Sequence, residues 1–401
     1  MSNALNFLMI CSRLPAPPND GGAIYMYQSA KTLANLGHTV SIACFESEMH
    51  QQDETMLSEF AKVYSAPGHF KPYGFRSLVH SLKEQLPIPI SDRMNIPIME
   101  EILNTIPDQS FDAILIEGLQ CFHFEELLRS KFKNTPLILR QVNVEHLLLE
   151  RNAKLISNPL KKAIYTWQAS LMKNFERSAL TKADAVSVIS AKDGEHFRQL
   201  HPDITYTVVE AGASLPPLFH NSEKQFNILL SGTWSWAPNQ DGLKWFFDQV
   251  YPLIHQQFPD LKLDIVGGEL DTSILDNMST EQVRYHGFVE DIVQFRQQSL
   301  LTVIPLISGS GMKIKVLECL ASGLPVITTK YGAEGISITD GKEYVLANTP
   351  EEILEAISKI VNDEHTRDQL ATNGRAFIEQ HHRWEHQMEK LVELTKSLKT
   401  N

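Results

Sequence analysis

Short apolar runs alternate with amphipathic stretches along most of the chain. The run LNFLMICS, residues 5–12, ends at a loop rich in proline and glycine, RLPAPPNDGG. Apolar residues then recur at helical spacing in AIYMYQSAKTLANLG, closed by Gly37, and HTVSIACF follows as a second run. Strand, loop, helix and strand in that order form the unit from which a parallel sheet is built. FDAILIEG, TPLILRQV and ADAVSVIS are further runs of the kind found in strands covered on both faces. Between Val142 and Ala183 the pattern predicts a long, mostly helical stretch broken near Asn158 and Pro159.

The same grammar restarts at FNILLSG, residues 226–232. The segment before it, EAGASLPPLFHNSEKQ, mixes glycine, proline and polar residues and reads as a linker. After it come a helical pattern at 239–259 and candidate strands in LKLDIVGG, VRYHGFV, LLTVIPL and LPVITTK. Three helices are predicted at 350–363, 364–382 and 383–400, the first started by Pro350 with Glu351 and Glu352 behind it. At 401 residues the chain is too long for one ordinary core, so two open parallel-sheet domains are expected. Such sheets bind ligands beyond the carboxyl ends of their strands, and two facing domains would create a cleft.

Composition narrows the classes. The chain is 43% hydrophobic and 21% charged, as expected of a folded globular protein. A formal net charge of −12 argues against a duplex nucleic-acid binder. Cys11, Cys44, Cys121 and Cys319 lie far apart beside apolar runs, which suits small buried thiols in a reducing compartment and not zinc. The first 22 residues carry no basic leader and read as a first strand, not a signal peptide. No apolar run is long enough to cross a bilayer.

The densest chemistry lies in IPLISGSGMKIKVLECLASGLPVITTKYGAEGI, residues 304–336. A strand ends in ISGSG, where Gly309 and Gly311 let the backbone turn sharply and present N–H groups. The helix predicted in MKIKVLECLAS would aim its start at the same ligand. Lys313 and Lys315 add charge, and Glu318 lies three residues past Lys315 on one helix face. Amides with lysine suit a diphosphate, and a nearby carboxylate suits a sugar hydroxyl pair. The competing account is that the lysines cover a helix surface and Glu318 pairs with one of them. The stretch is not a Walker motif, and PAPPNDGG does not match the dinucleotide fingerprint.

These residues carry a resemblance. PNDGGAIYMYQSAKTLANLGHTVSIAC, LLSGTWSWAPNQDGLKWFFDQVYPLI, GFVEDI and the 304–336 stretch together resemble the nucleotide-sugar glycosyltransferases called group 1, or family 4. The likeness runs through nearly the whole chain and is loosest between residues 71 and 200. It implies an α/β fold of two Rossmann-like domains with an interdomain cleft, the GT-B type. The implied divisions are an acceptor-side domain at 1–212, a nucleotide-sugar domain at 213–382, and a helix at 383–401 crossing back to the first.

Three departures stand out against the family pattern. Of its two glutamates with seven residues between them, Glu318 matches the second, and Ser310 stands where the first is expected. The family's basic residue in the first loop of domain two is missing from GTWSWAPNQ, which offers Thr233, Trp236 and Asn239. In QVNVEH, Asn143 and Glu145 match a subgroup motif, Val142 replaces its histidine, and His146 is displaced.

Single residues complete the picture. Asp20 reads as a helix cap, and the resemblance brings the Gly22 amide near the donor phosphate or the acceptor. Glu117 ends a buried strand and points to a site mouth, as a contact for the acceptor; His123 follows it in a loop. Trp234 and Trp236 fit core packing or a lid, with base stacking as the alternative. Glu334, in GAEGI, lies in a loop the resemblance places near the nucleotide, and Trp384 reads as a packing anchor. The lysines of 154–182 suit a solvated helix face or an anionic membrane.

The implied activity is that of a hexosyl- or related glycosyltransferase in bacterial surface glycan or polysaccharide synthesis. It would move sugar from a UDP- or GDP-sugar to an acceptor hydroxyl with net retention. Growing charge on the diphosphate would be met by amides at Gly309, Ser310 and Gly311 and by Lys313 and Lys315. Lys313, Glu117 and His146 are the catalytic candidates. Gly22, Thr233, Asn239, Glu318 and Glu334 complete the donor set. No bound cofactor or metal is expected. The expected partners are the nucleotide sugar and a glycan or lipid-linked glycan acceptor, with no nucleic acid. A cytoplasmic enzyme is expected, with the inner membrane face and a homodimer as open associations. The alternatives are a non-catalytic glycan-binding or partner subunit of the same fold and a sugar-nucleotide epimerase.

Overall fold

A computed structural model describes residues 4–46, 53–68, 75–91, 95–218, 224–276, 278–309 and 311–399. The chain divides into two compact units, Met1–Glu210 with Gln387–Asn401, and Ala211–His386.

The first unit holds a seven-stranded sheet. Its strands are β1 (Asn6–Cys11), β2 (Thr39–Glu46), β3 (Lys62–Pro67), β4 (Ala113–Glu117), β5 (Leu137–Gln141), β6 (Ala185–Val188) and β7 (Tyr206–Val208). They lie in the order β3-β2-β1-β4-β5-β6-β7, and every pairing is parallel. The order reverses between β1 and β4, so the connections leave in opposite directions and open a crevice at the carboxyl ends of these two strands. Phe7, Met9 and Cys11 face one core and Leu8 and Ile10 the other, as the period of a strand requires. The helical stretch after β5 is indeed broken. Helices Glu145–Leu155 and Pro159–Lys182 meet at Asn158, whose side chain accepts from the N–H groups of Leu160 and Lys161 ahead of Pro159 at the helix start. The last helix, Trp384–Lys399, contributes Met388, Leu391, Val392 and Leu394 to the core of this unit.

The second unit repeats the design with six strands. They are β8 (Gln225–Ser231), β9 (Lys262–Val266), β10 (Val283–Gly287), β11 (Ser299–Ile304), β12 (Val326–Thr328) and β13 (Val345–Leu346). Their order is β10-β9-β8-β11-β12-β13, again all parallel, with the reversal between β8 and β11. The two parallel sheets are the Rossmann-like pair that the alternation of runs predicts. Strands β3, β7 and β13 escape the sequence pattern. β3 carries Lys62 and Pro67, and β7 and β13 span three and two residues, too few for a period to show.

Candidate functional site

The chemistry of the second unit gathers at the switch between β8 and β11. β11 leads through a loop into the helix Ile314–Ala321, and Gly309 and Gly311 take positive φ angles of 114° and 77° there. Ser310, the residue between them, lies outside the described residues. Lys313 is the residue before the helix and gives it no side-chain cap; its Nζ instead donates to the Gly311 carbonyl. A Cβ on Gly309 would lie 3.5 Å from the Trp236 ring and 3.8 Å from the Lys313 side chain, so this loop also meets the one after β8.

Asn239 and Lys315 join the two loops. Lys315 Nζ donates to Asn239 Oδ1 at 2.7 Å and to the Ser231 carbonyl at 3.4 Å. Asn239 Nδ2 donates to the Thr233 carbonyl at 2.8 Å. The close approach has a cause in sequence. A Cβ at Gly232 would come within 2.8 Å of Asn239 Nδ2, and one at Gly242 within 2.4 Å of the Pro305 carbonyl oxygen. Lys315 keeps some exposed surface, yet its ammonium sits in a low-dielectric niche. Burial, with a smaller push from Lys313, brings its pKa down to about 8.

Glu318 follows one turn along the same helix, 28% exposed, and does not pair with either lysine. Arg296 of the helix Ile292–Gln298 donates to it at 2.6 Å. The loop holding Glu334 folds back onto the glycine loop. Thr329 Oγ1 donates to the Leu306 carbonyl, and a Cβ on Gly335 would lie 3.6 Å from Met312 N. Glu334 itself is half-buried. Trp234 is a core residue packed with Leu243 and Phe246, whereas Trp236 is exposed.

Arg296 carries no signal in the sequence as the partner of Glu318, and Phe288 and Ile307 are exposed apolar residues just after β10 and β11.

In the first unit, Gly22, Glu117 and His146 all lie at the carboxyl ends of strands, after β1, at the end of β4 and after β5. Asp20 caps the helix Gly21–Asn35 by accepting from Gly22 N at 3.0 Å and Ala23 N at 3.1 Å, so the Gly22 amide already has an anionic partner. Arg13 holds the same carboxylate and keeps its pKa below the usual range despite burial. Glu117 is buried against Arg140, which also donates to Ser29 Oγ at 2.9 Å and lies over the Tyr25 ring. Burial raises the Glu117 carboxyl against the pull of that guanidinium. His146 Nδ1 is hydrogen-bonded to Glu176, and the same carboxylate accepts from Glu145 N at 2.8 Å. Glu145, beside it, is pushed up to about 7 by burial and by the Glu176 charge. His123 is half-buried, and burial lowers its pKa.

The structure thus assembles Thr233, Asn239, Gly309, Gly311, Lys313, Lys315 and Glu334 around one switch point, with Glu318 a turn away. Lys313 stands at the start of the helix Ile314–Ala321 and Lys315 one residue inside it, residue types suited to meeting an anion. Among the described residues, no group of three or more His, Cys, Asp or Glu is placed to hold a metal ion. None of their helices is long and apolar enough to cross a membrane.

Residues 225–363 match the family described as glycosyl transferases group 1. An uncharacterized 44.6 kDa protein in the cps region of Klebsiella pneumoniae is 22% identical, covering 94% of this chain and 96% of its own. Sucrose-phosphate synthase from Thermosynechococcus elongatus shares the fold with a TM-score of 0.71 at 16% identity, over 99% of both chains. HepE from Anabaena, solved in complex with UDP-glucose, shares it with a TM-score of 0.63 at 14% identity, over 98% of this chain and 100% of its own. The segment 225–363 is a group 1 glycosyltransferase domain of the family-4-like kind, in a chain of two Rossmann-like units with the GT-B type fold.

Proposed function

We propose that this protein transfers a sugar from a nucleoside-diphosphate donor to an acceptor hydroxyl, in the synthesis of a glycan or polysaccharide. The observation that carries the reading is the meeting of Lys315 and Asn239 with the Gly309–Lys313 loop at the β8/β11 switch. An α/β sheet binds ligands at such a point. The complex of HepE with UDP-glucose, on the same fold, supports the donor class.

In this proposal the backbone of 309–311 and the two lysines meet the diphosphate. Negative charge grows on it as the glycosidic bond breaks, so these donors act most strongly in the transition state. Asn239 is a positioning residue that holds the Lys315 ammonium. Glu318 takes the ribose hydroxyls, oriented by Arg296. Thr233 and Glu334 border the same loops. Gly22 and His146 serve the acceptor side, and Glu117 supports it through Arg140 because its own carboxylate is occupied. A serine at 310 leaves no carboxylate there to act as a nucleophile, which is consistent with a front-face transfer that retains configuration. The donor is a UDP- or GDP-sugar and the acceptor a glycan or lipid-linked glycan at the cytoplasmic face of a membrane.

Titration calorimetry with UDP, GDP and the parent nucleosides tests the donor site, followed by hydrolysis assays on UDP- and GDP-sugars. One diphosphate should bind at least about tenfold more tightly than its nucleoside, and its sugar should be slowly hydrolysed. Binding of neither diphosphate would refute the proposal. Tight binding without any hydrolysis or transfer would favour a non-catalytic partner subunit.

A further inference from the structure

Carboxylates beyond the carboxyl ends of β1, β2 and β4 are engaged within the fold. Asp20, after β1, is held by Arg13 and by the Gly22 and Ala23 amides. Glu46, which ends β2, accepts from Ser65 Oγ at 2.7 Å. Glu117, which ends β4, is buried against Arg140. Glu145 differs. It opens the helix Glu145–Leu155 after β5, and its carboxyl has no hydrogen-bond or ionic partner among the described residues. Only its backbone N–H is engaged, donating to Glu176 Oε1 at 2.8 Å.

Its surroundings sharpen the contrast. Glu176, on the helix Pro159–Lys182, is fully buried and is also hydrogen-bonded to His146 Nδ1. His146 is 4% exposed. Of Glu145, His146 and Glu176, only Glu145 keeps some exposure. Glu176 is the charged group that faces it from the packed helix, where Lys173 and Arg177 are exposed, and among the described residues no cation offsets that charge at Glu145. Burial and the Glu176 charge therefore both oppose the ionised form of Glu145, and nothing described in the fold compensates. A local cost of this kind is expected where a chain binds or reacts.

We propose that Glu145 is a catalytic residue on the acceptor side, whose carboxylate accepts a hydrogen bond from the acceptor hydroxyl and takes its proton as that oxygen attacks. This role rests on the transfer proposed above. The acceptor oxygen forms its bond to the anomeric carbon. The bond from that carbon to the diphosphate breaks, and its electron pair leaves with the diphosphate. The proton passes to Glu145 and from there to water. Glu176 and His146 are positioning residues, since Glu176 anchors the first helical turn through Glu145 N and His146 holds Glu176 in place. A carboxyl that titrates at about 7 is partly ionised at neutral pH, where a general base works best.

Hydrolysis of the UDP- or GDP-sugar that the wild type cleaves, with water as the acceptor, tests the role alongside calorimetry with the matching diphosphate. The wild-type kcat/KM should rise with pH up to about 7 as Glu145 ionises. Glu145→Gln should lower kcat about 100-fold or more, keep the donor KM and diphosphate binding within about twofold, and lose that rise. Its melting temperature at pH 8 should not fall, because an uncompensated charge is gone. A carboxyl that only supports the fold would lose stability and activity together. Glu145→Asp should recover part of the rate and the rise with it. Glu176→Gln should move the midpoint of the rise to lower pH, since the charge that holds the proton on Glu145 is removed. If Glu176→Gln does not fold, the two Glu145 variants decide. An unfolded Glu145→Gln variant, or one with wild-type turnover and the same rise, would overturn the role; the second result would leave the proton to the departing diphosphate. A wild type that binds neither diphosphate, or binds one without turnover, would instead overturn the transfer itself.

Discussion

Arg296 Nη2 lies 2.6 Å from Glu318 Oε2 and ties the helix before β11 to the helix after it. Arg296 is buried and its Nε has no partner among the described residues, so Glu318 is the main compensation for its charge. On sequence alone, Glu318→Gln would lower donor affinity and leave stability nearly untouched. The pair changes that expectation. Glu318→Gln should weaken nucleoside-diphosphate binding about tenfold and also cost about 1–3 kcal/mol, less than a fully buried pair because water reaches Glu318. Adding Arg296→Met should recover most of the melting temperature and none of the affinity. A single Glu318→Gln variant that binds normally would remove its ribose role.

Lys315, its pKa brought down to about 8 by burial, should make nucleoside-diphosphate binding depend on pH. Its ammonium is largely charged at pH 7 and is lost as pH rises through 8, so nucleoside-diphosphate affinity should fall between about pH 8 and 9.5. Lys315→Met should bind more weakly and flatten that profile. The unliganded protein should move the other way. An unfolded lysine titrates near about 10.4, so the unfolded chain binds more protons from about pH 8 upward and stability rises across that window. A wild-type affinity constant through pH 9.5 would show that Lys315 does not meet the phosphate.

Lys313 turns to the Gly311 carbonyl and Lys315 to Asn239, so the two should not be interchangeable. Lys313→Ala should reduce binding of the nucleoside diphosphate and leave the nucleoside nearly unaffected. A contact of this kind is worth about 1.5–3 kcal/mol when desolvated. Equal losses for both ligands in calorimetry would make the lysine a shaper of the loop.

Glu145 should be visible in the stability of the protein. Its carboxyl titrates near about 7 in the fold, against an ordinary value of 4.5. The folded state therefore holds the extra proton between those values, and stability falls as pH rises through them. Glu145→Gln should flatten that segment of the curve and stabilise the protein at pH 8 by about 1–2 kcal/mol, after allowance for its partial exposure. Melts of both proteins from pH 4 to 8 in matched salt decide it; parallel curves would rule the effect out.

Gly22→Val probes the start of the first helix. Among the described residues a Cβ there meets only Asp20 Oδ1, at 3.4 Å, so the fold should persist with a melting temperature close to wild type. Transfer should be lost while nucleoside-diphosphate binding to the second unit remains. Full transfer activity would show that no substrate passes over this helix start.

The glycine loop and its helix are legible in sequence because every part lies within 304–336. The partners are not. Asn239 and Lys315 are 76 residues apart, and nothing local announces that an asparagine after β8 will hold a lysine after β11. Spacing along the helix offers Glu318 only the neighbouring lysines, while its actual partner comes from another helix. Glu117 shows the same limit. A carboxylate ending an apolar run signals a strand end, but Arg140, 23 residues on in an equally apolar run, neutralises it. The helix Phe75–Glu84 escapes the sequence for the opposite reason. Its pattern is strong, but its buried positions are Ser77 and Ser81 while Phe75, Val79 and Leu82 are exposed, so its apolar face says nothing about a core.

The last helix gives the first unit a property of timing. Met388, Leu391 and Val392 fill the same core as Phe7 and Met9, which are translated more than 370 residues earlier. A nascent chain that has emerged through β7 still lacks a wall of that core. On the ribosome the second unit can condense as soon as its own residues are out, while the first must wait for the final helix. Trimming the chain before residue 387 should therefore damage the amino-terminal unit, distant in sequence, more than the unit next to the cut.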